Sequence, residues 1–292
     1  MGNDRKIALF IDLENIILGV REASYKKFSI NLVMERLLEK GKIIVKRAYA
    51  DWRRFEDYQR GFHEHAIELI EIPSRSISGK NSADIRMVVE VMDLSFQKGH
   101  VDTFVIMSGD SDFSPLVSKL KENDKYVIGL GVKNSTSDLL RDNCDEFIYY
   151  EDIVRETERT ARVTSHVTSQ VTSAPGGLQE KQAEGFRLLV DSIHALIRDD
   201  HTVVWGSMVK QTICRKRPSF TESYYGYKGF SDMLEDAQRK KILTLQKDQK
   251  SGYQITGVVD LGNVPGPAAA APPPAAAPAA PAAQTPAPAP TA

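Results

Sequence analysis

Asp110 and Asp112, with only Ser111 between them, close the stretch VIMSGDSDF at residues 105–113. Two carboxylates this close repel, and each raises the pKa of the other. Something positive is expected beside them. A second apolar run, ALFIDLENI, also stops at an acid, Asp12, with Glu14 and Asn15 behind it. A third segment, GKNSADIRMVVEVMDLSF, reads as a helix with Asp84 in its first turn. Its apolar positions Met87, Val88 and Val91 share a face with Asp84, whereas Glu90 and Asp93 lie well round from it and stay outside the set. Asp12, Asp84, Asp110 and Asp112 would together make an all-oxygen acidic pocket. Hard oxygen ligands suit Mg²⁺ or Mn²⁺ and not zinc. The chemistry of such ions with nucleic acids is phosphodiester hydrolysis, one ion activating a water and a second stabilising the leaving oxygen. Taken singly, each acid has a plainer role: Asp12 ends a strand, Asp84 and Asp112 favour helix N-termini, and Asp110 caps a helix. Four on one edge favour the metal site.

Elements must bring these acids together. Short β-rich runs (KIALFI, KIIVKRAYA, AIELIEI, VDTFVIM, KYVIGL and EFIYY) alternate with helical patterns near 29–40, 55–65, 82–98, 113–123 and 138–143. Continuous apolar strands separated by helices predict a parallel sheet covered on both faces, an α/β doubly wound domain. Ligands of such sheets sit beyond the carboxyl ends of the strands, at a topological switch point. If the strands ending at Asp12 and Asp110 are neighbours, the two acids meet there.

Past this region the pattern changes. RVTSHVTSQVTSAPGG repeats Val-Thr-Ser every four residues and then turns to Pro and Gly, which predicts a flexible linker. EGFRLLVDSIHALIRDD resumes helical spacing, followed by helices near 205–215 and 229–240 and by ILTLQKDQKSGYQIT, two strands around Ser251-Gly252. Three helices and a hairpin resemble a winged helix. The Ala/Pro-rich end cannot bury enough specific surface to fold and is expected to be disordered. The boundaries expected are 1–154 for the α/β domain, 155–179 for the linker, 180–257 for the second domain and 258–292 for the tail.

Composition sets outer limits. Of 292 residues, 41% are apolar and 26% charged, with a formal net charge of −1. The whole chain therefore advertises neither nucleic acid nor membrane, and a nucleic-acid site must be a local patch. Cys144 and Cys214 lie far apart and read as reduced thiols. The polar start MGNDRK gives no signal peptide, Lys6 breaks a myristoylation motif at Gly2, and the prolines keep the tail from spanning a bilayer as a helix. A cytoplasmic protein without membrane contact is expected.

FIDLEN, SADIRMVVEVMDL and SGDSDFSPLV, three ordered motifs within roughly 5–153, resemble the NYN family of the PIN-like ribonuclease superfamily, closest to its LabA-like branch. The resemblance implies a metal-dependent ribonuclease fold whose acidic set falls on Asp12, Asp84, Asp110 and Asp112. Asn15 follows Asp12 as in the family pattern and orients a ligand or substrate phosphate. Ser108 holds the hydroxyl position before the acidic pair. Many members carry Asp where Glu90 stands, a scaffold position. Haloacid-dehalogenase-type phosphatases also begin with Asp at a strand end, but they need a second Asp two residues on, where this chain has Glu14.

Arg75 and Lys80, in the polar loop SRSISGKNSAD, could hold phosphates flanking the scissile one. Trp52 could stack a base, though packing suits it better, with Asp51 as a helix cap. In the second region SYYGYKGFSDMLEDAQRKKIL, preceded by GSMVKQTICRKRPSFTE, resembles the LOTUS, or OST-HTH, domain over roughly 180–256. That resemblance implies RNA binding or, in some members, a protein contact. Residues 180–256 hold 13 basic and 10 acidic residues. The bases cluster at Arg215, Lys216 and Arg217 and at Arg239, Lys240 and Lys241, with Tyr224, Tyr225 and Tyr227 between. Basic and aromatic residues interleaved suit single-stranded or structured RNA, and Lys240 and Lys241 are the expected contacts. The plainer alternative is tyrosines in a small core and bases on a solvated face. RNA is the expected partner. An RNA-binding adaptor with little catalysis, or a protein partner on the LOTUS-like region or the Pro-rich tail, are the other readings.

Overall fold

In the computed structural model, which describes residues 5–72, 82–171, 177–199, 201–248 and 252–258, strand and helix alternate through the first half of the chain. β1 (Arg5–Asp12) runs without a loop into α1 (Leu13–Glu22). Then come α2 (Ile30–Lys40), β2 (Gly41–Ala50), α3 (Glu56–Glu64), β3 (Glu68–Glu71), α4 (Ser82–Gln97) and β4 (Thr103–Met107). α5 (Ser114–Glu122), β5 (Tyr126–Gly131), α6 (Asp138–Asn143) and β6 (Glu146–Tyr149) complete the unit. The six strands pair in parallel in the order β3-β2-β1-β4-β5-β6. The chain builds outward from β1 to β3 and then crosses to β4 on the other side of β1. The crevice between the carboxyl ends of β1 and β4 is thus the switch point.

Period-two alternation in β1 serves both faces of the sheet. Ile7, Leu9 and Ile11 pack with Ile16 of α1 and Leu37 of α2. Ala8 and Phe10 pack with Met87 and Val91 of α4 and Val117 of α5 on the opposite face. The expected helices and strands coincide with the observed ones to within a few residues. α1 was not among those expected, although Leu13, Ile16, Ile17 and Val20 carry its buried stripe.

The second region has its own core, with Phe186, Leu189, Ile193, Val209, Ile213 and Met233 at its centre. Its elements are α8 (Gly177–Arg198), entered from α7 (Tyr150–Val171), then β7 (Val204–Trp205), α9 (Gly206–Lys216), α10 (Phe230–Arg239), β8 (Leu243–Asp248) and β9 (Gly252–Val258). The short strands form an antiparallel sheet in the order β7-β9-β8. The expected flexible linker is not what the described residues show. α7 continues helical through Val171, and α8 starts at Gly177. A four-residue repeat lies close to the helical period, so the spacing suits a helix even though the residue types suit a loop. Residues 172–176 and the tail from 259 lie outside the described residues.

The two units meet across a cluster of paired charges at the amino ends of the strands. The buried Glu39 carboxylate accepts from Arg36 at 2.7 Å, Arg198 at 2.9 Å and Lys216 at 2.7 Å, and its backbone carbonyl accepts from Arg215 at 2.9 Å. Asp199 takes Arg36 at 3.0 Å and Lys40 at 2.9 Å. Lys40 also reaches Glu146 at 2.7 Å, Lys216 reaches Asp191 at 2.7 Å, and Arg198 pairs with Glu156. Burial pushes the Asp199 pKa up, but Arg36 and Lys40 outweigh it and hold the carboxyl below its ordinary value. Arg215 and Lys216, in a basic run expected on an RNA face, are instead half-buried and turned to this joint. A basic run in sequence looks the same whether water or a buried carboxylate faces it.

Candidate active site

Ile11 lies opposite Met107 in the sheet, so the chain leaves β1 and β4 side by side. Asp12 and Ser108 follow at once, and the Ser108 hydroxyl donates to Asp12 Oδ2 at 2.9 Å. Asp12 is also the N-cap of α1, its Oδ1 accepting from the Asn15 N–H at 3.4 Å. A side-chain oxygen there satisfies an amide the helix cannot. The Asn15 amide oxygen accepts from the Gly109 N–H at 2.8 Å, which leaves its NH₂ group as a donor. The Asp110 N–H donates to the Ser108 hydroxyl at 3.2 Å, and Asp110 Oδ1 accepts from the Asp112 N–H at 3.0 Å, capping the turn Ser111–Phe113.

Gly109 holds this knot together and was not singled out from the sequence. A Cβ added there would meet the Ser135 carbonyl oxygen at 2.2 Å. The Gly109 carbonyl in turn accepts from the Ser137 N–H at 2.9 Å. Only a residue without a side chain lets the loop after β5 pass this close.

Asp12 keeps some exposed surface, yet its carboxyl is set among protein atoms. Burial pushes its pKa up to about 7; the Ser108 and Asn15 hydrogen bonds oppose the rise, and the charges of Asp84 and Asp110 add to it. Asp84 therefore acts on Asp12 from the first turn of α4, as its position in the helix predicts. Tyr49, opposite Asp12 in the sheet, donates its hydroxyl to Glu90 at 2.7 Å, and Arg47 and Arg86 hold the same carboxylate at 3.1 and 3.0 Å. These bonds tie α4 to β2. Asp112 is exposed at the rim. Among the described residues, no three His, Cys, Asp or Glu side chains are gathered closely enough to enclose a metal ion.

Other expected residues lie elsewhere. Trp52 is buried against Phe62 and donates its indole N–H to the Ile70 carbonyl at 3.1 Å, so it packs and does not present a face to a base. Asp51 does not cap α3, whose N-cap is Phe55; its carboxylate accepts from Arg53 at 3.0 and 3.2 Å. Arg75 and Lys80 lie outside the described residues. Lys240 pairs with Asp236 at 3.0 Å and sits over the Phe186 ring at 5.0 Å, while Lys241 is exposed. Both are in the second unit, away from the acids. Tyr225 and Tyr227 are buried, and Tyr224 is 52% exposed.

A switch-point crevice ringed by acids on a parallel sheet is the arrangement of a PIN-like nuclease domain. The NYN domain model matches residues 6–151, and the chain belongs to that family. An uncharacterized protein of Methanocaldococcus jannaschii is 30% identical over 152 residues, which are 50% of this chain and 55% of that protein. The chain thus spans about half the length of the curated relative it matches. A crystal structure of a protein of unknown function from Vibrio parahaemolyticus is similar at 27% identity with a TM-score of 0.45, covering 52% of this chain and 97% of that one. No helix among the described residues is long and apolar enough to cross a membrane.

Proposed function

We propose that this protein is a metal-dependent ribonuclease that hydrolyses RNA phosphodiester bonds at the carboxyl ends of β1 and β4. The observation that carries the reading is Asp12. Its carboxyl lies beside Asp84 and Asp110, and burial with their charges pushes its pKa up to about 7. Among the described residues its hydrogen-bond partners are the Ser108 hydroxyl and the Asn15 N–H, and neither is a cation. Such an arrangement is costly without a cation and apt once one is present.

Asp12, Asp84, Asp110 and Asp112 would hold Mg²⁺ or Mn²⁺. A set of carboxylates too open to enclose an ion suits Mg²⁺, which keeps several waters and takes one or two carboxylates together with substrate phosphate. When bound, the ion lowers the pKa of a coordinated water and offsets charge on the scissile phosphate. The residues of the chain prepare the site. Ser108 orients the Asp12 carboxyl by donating to one oxygen, and the Asn15 N–H fixes the other. The Asn15 side chain, locked by Gly109, offers its NH₂ group to a phosphate oxygen. Asp110 holds Asp112 at the rim through its cap.

The second unit resembles a LOTUS domain, and we assign it an RNA-holding role through Arg217, Arg239, Lys241 and the exposed Tyr224. It docks at the amino ends of the strands. β1 spans 8 residues, so about 25 Å of sheet separates that docking from the acidic edge. RNA held there would reach the acids by running along the domain.

Incubating single-stranded RNA with wild type and Asp12→Asn, in Mn²⁺ and in EDTA, tests the proposal. Cleavage is expected only for wild type with Mn²⁺. Equal slow degradation in all four reactions would leave an RNA-binding adaptor as the reading.

A further inference from the structure

α4 is apolar on two opposite sides. Met87, Val91 and Leu94 pack against the sheet. At about 100° per residue, Ile85, Val89, Met92 and Phe96 fall on the far side, spaced four, three and four residues apart. Ile85 is 63% exposed, Val89 60% and Phe96 66%, and Met92 is half-buried. A helix on the surface of a domain ordinarily turns charged and polar residues outward. This spacing is instead that of the seam along which two helices pack. One flank of the stripe carries Arg86 and, about two turns on, Asp93, both exposed. Arg86 donates to Glu90 at 3.0 Å and to the Glu71 carbonyl at 3.3 Å, and a guanidinium has further N–H groups to give. Asp93 accepts from the Gln97 side chain at 2.6 Å, and no cation among the described residues pairs with it.

We infer that the stripe is an interface with a second copy of this chain, whose α4 packs antiparallel on the first. A two-fold axis across the helix pair sets Ile85 against Phe96 of the second copy and Val89 against its Met92, and makes each contact twice. Antiparallel packing brings like flanks together, and charges on the flanks set the orientation. Each Arg86 then comes within reach of Asp93 of the second copy, so the flank that carries both charges complements itself. A parallel pair would set that flank against the other one, where Val88 and Ser95 stand, and would leave both charges unmatched. This self-complementarity favours a second copy over an unrelated partner. With one base and one acid beside it, the stripe suits neither an RNA backbone nor an anionic membrane. Four side chains cover less than the roughly 800 Å² per partner of a standard interface, so the dimer is reversible. The interface needs no activity at the acidic edge.

Sedimentation velocity of the full chain from about 1 to about 200 µM, the range in which a small interface associates, tests the proposal. Wild type is expected to pass from the mass of one chain to twice that mass as concentration rises. Val89→Glu, at the centre of the stripe, should stay monomeric throughout. Asp93→Arg sets like charges together and should weaken the dimer at least about fivefold. Ile85→Lys and Phe96→Glu should each weaken it alone, and an equal mixture of the two should dimerise better than either, because antiparallel packing sets Lys against Glu. All four positions are exposed, so the variants keep the fold, and thermal unfolding checks each. Wild type that is monomeric at every concentration overturns the proposal and leaves the stripe to a different partner. A dimer that Val89→Glu does not weaken overturns it as well. A dimer weakened by each single variant but not recovered in the mixture overturns the antiparallel pairing.

Discussion

The two ends of the parallel sheet handle buried charge in opposite ways. At the amino end, Glu39 and Asp199 are each surrounded by cations, and those cations have further acidic partners in Asp191, Glu146 and Glu156. At the carboxyl end, Asp12 sits beside Asp84 and Asp110 with hydroxyl and amide partners. Charges at the first end are satisfied from within the chain, and the result is a joint between two units. In the reading proposed above, the second end is completed by a cation from outside the chain. On that reading, the same sheet separates a structural use of carboxylates from a chemical one by about its own length.

Removing an acid at the carboxyl end should have the largest effect on activity and the least on folding. Asp12→Asn is expected to lower cleavage by roughly a thousandfold, the scale of several kcal/mol of lost charge stabilisation. Its unfolding temperature in metal-free buffer should not fall, because the variant removes a charge that Asp84 and Asp110 repel. The reverse is expected at the amino end. Glu39→Ala leaves Arg36, Arg198 and Lys216 without their shared partner and should cost about 3–5 kcal/mol. That corresponds to a fall of roughly 10 °C in unfolding temperature, with cleavage of short RNA little changed below the transition. A Glu39→Ala protein as stable as wild type would remove the contrast.

Gly109→Ala comes next. The loop carrying Ser135 would have to move, and the Gly109 bond to Asn15 would be strained. Cleavage should fall by about 10–100-fold, the range for a residue that orients a site from behind it, with less change in stability than for Glu39→Ala. Ser108→Ala probes the same bond system without the steric change.

Acid should separate the ends more gently. The Asp199 pKa is held below its ordinary value by Arg36 and Lys40 in spite of burial. A depressed folded pKa means that its contribution to stability is present above the unfolded value of about 4 and is lost as pH falls through the folded one. Unfolding followed calorimetrically from pH 6 to pH 3 should therefore weaken toward the low end, and Asp199→Asn should flatten that part of the profile.

Much of the carboxyl end was legible in the sequence. Asp12, Ser108, Asp110 and Asp112 follow apolar runs, and strand adjacency alone brings them together; Asp84 is placed by helical period. The amino-end joint was not legible. Lys216 and Arg215 sit in a basic run whose partners, Glu39 and Asp191, are remote in sequence or on another helix, and pairing across domains leaves no local pattern. The Val-Thr-Ser repeat was misleading for a related reason. Its residues suit a loop by type, while its spacing suits a helix. Gly109 could have been suspected from its place between two polar site residues, but the approach of Ser135 is purely tertiary.

The contrast is tested most directly by one thermal-shift titration with Mn²⁺ at pH 8, run on wild type, Glu39→Ala and Asp12→Asn. Mn²⁺ should raise the unfolding temperature of wild type and of Glu39→Ala by similar amounts, through binding to the folded state alone, and should leave Asp12→Asn nearly unmoved. An equal shift in Asp12→Asn would contradict the assignment of the carboxyl-end acids as the cation site.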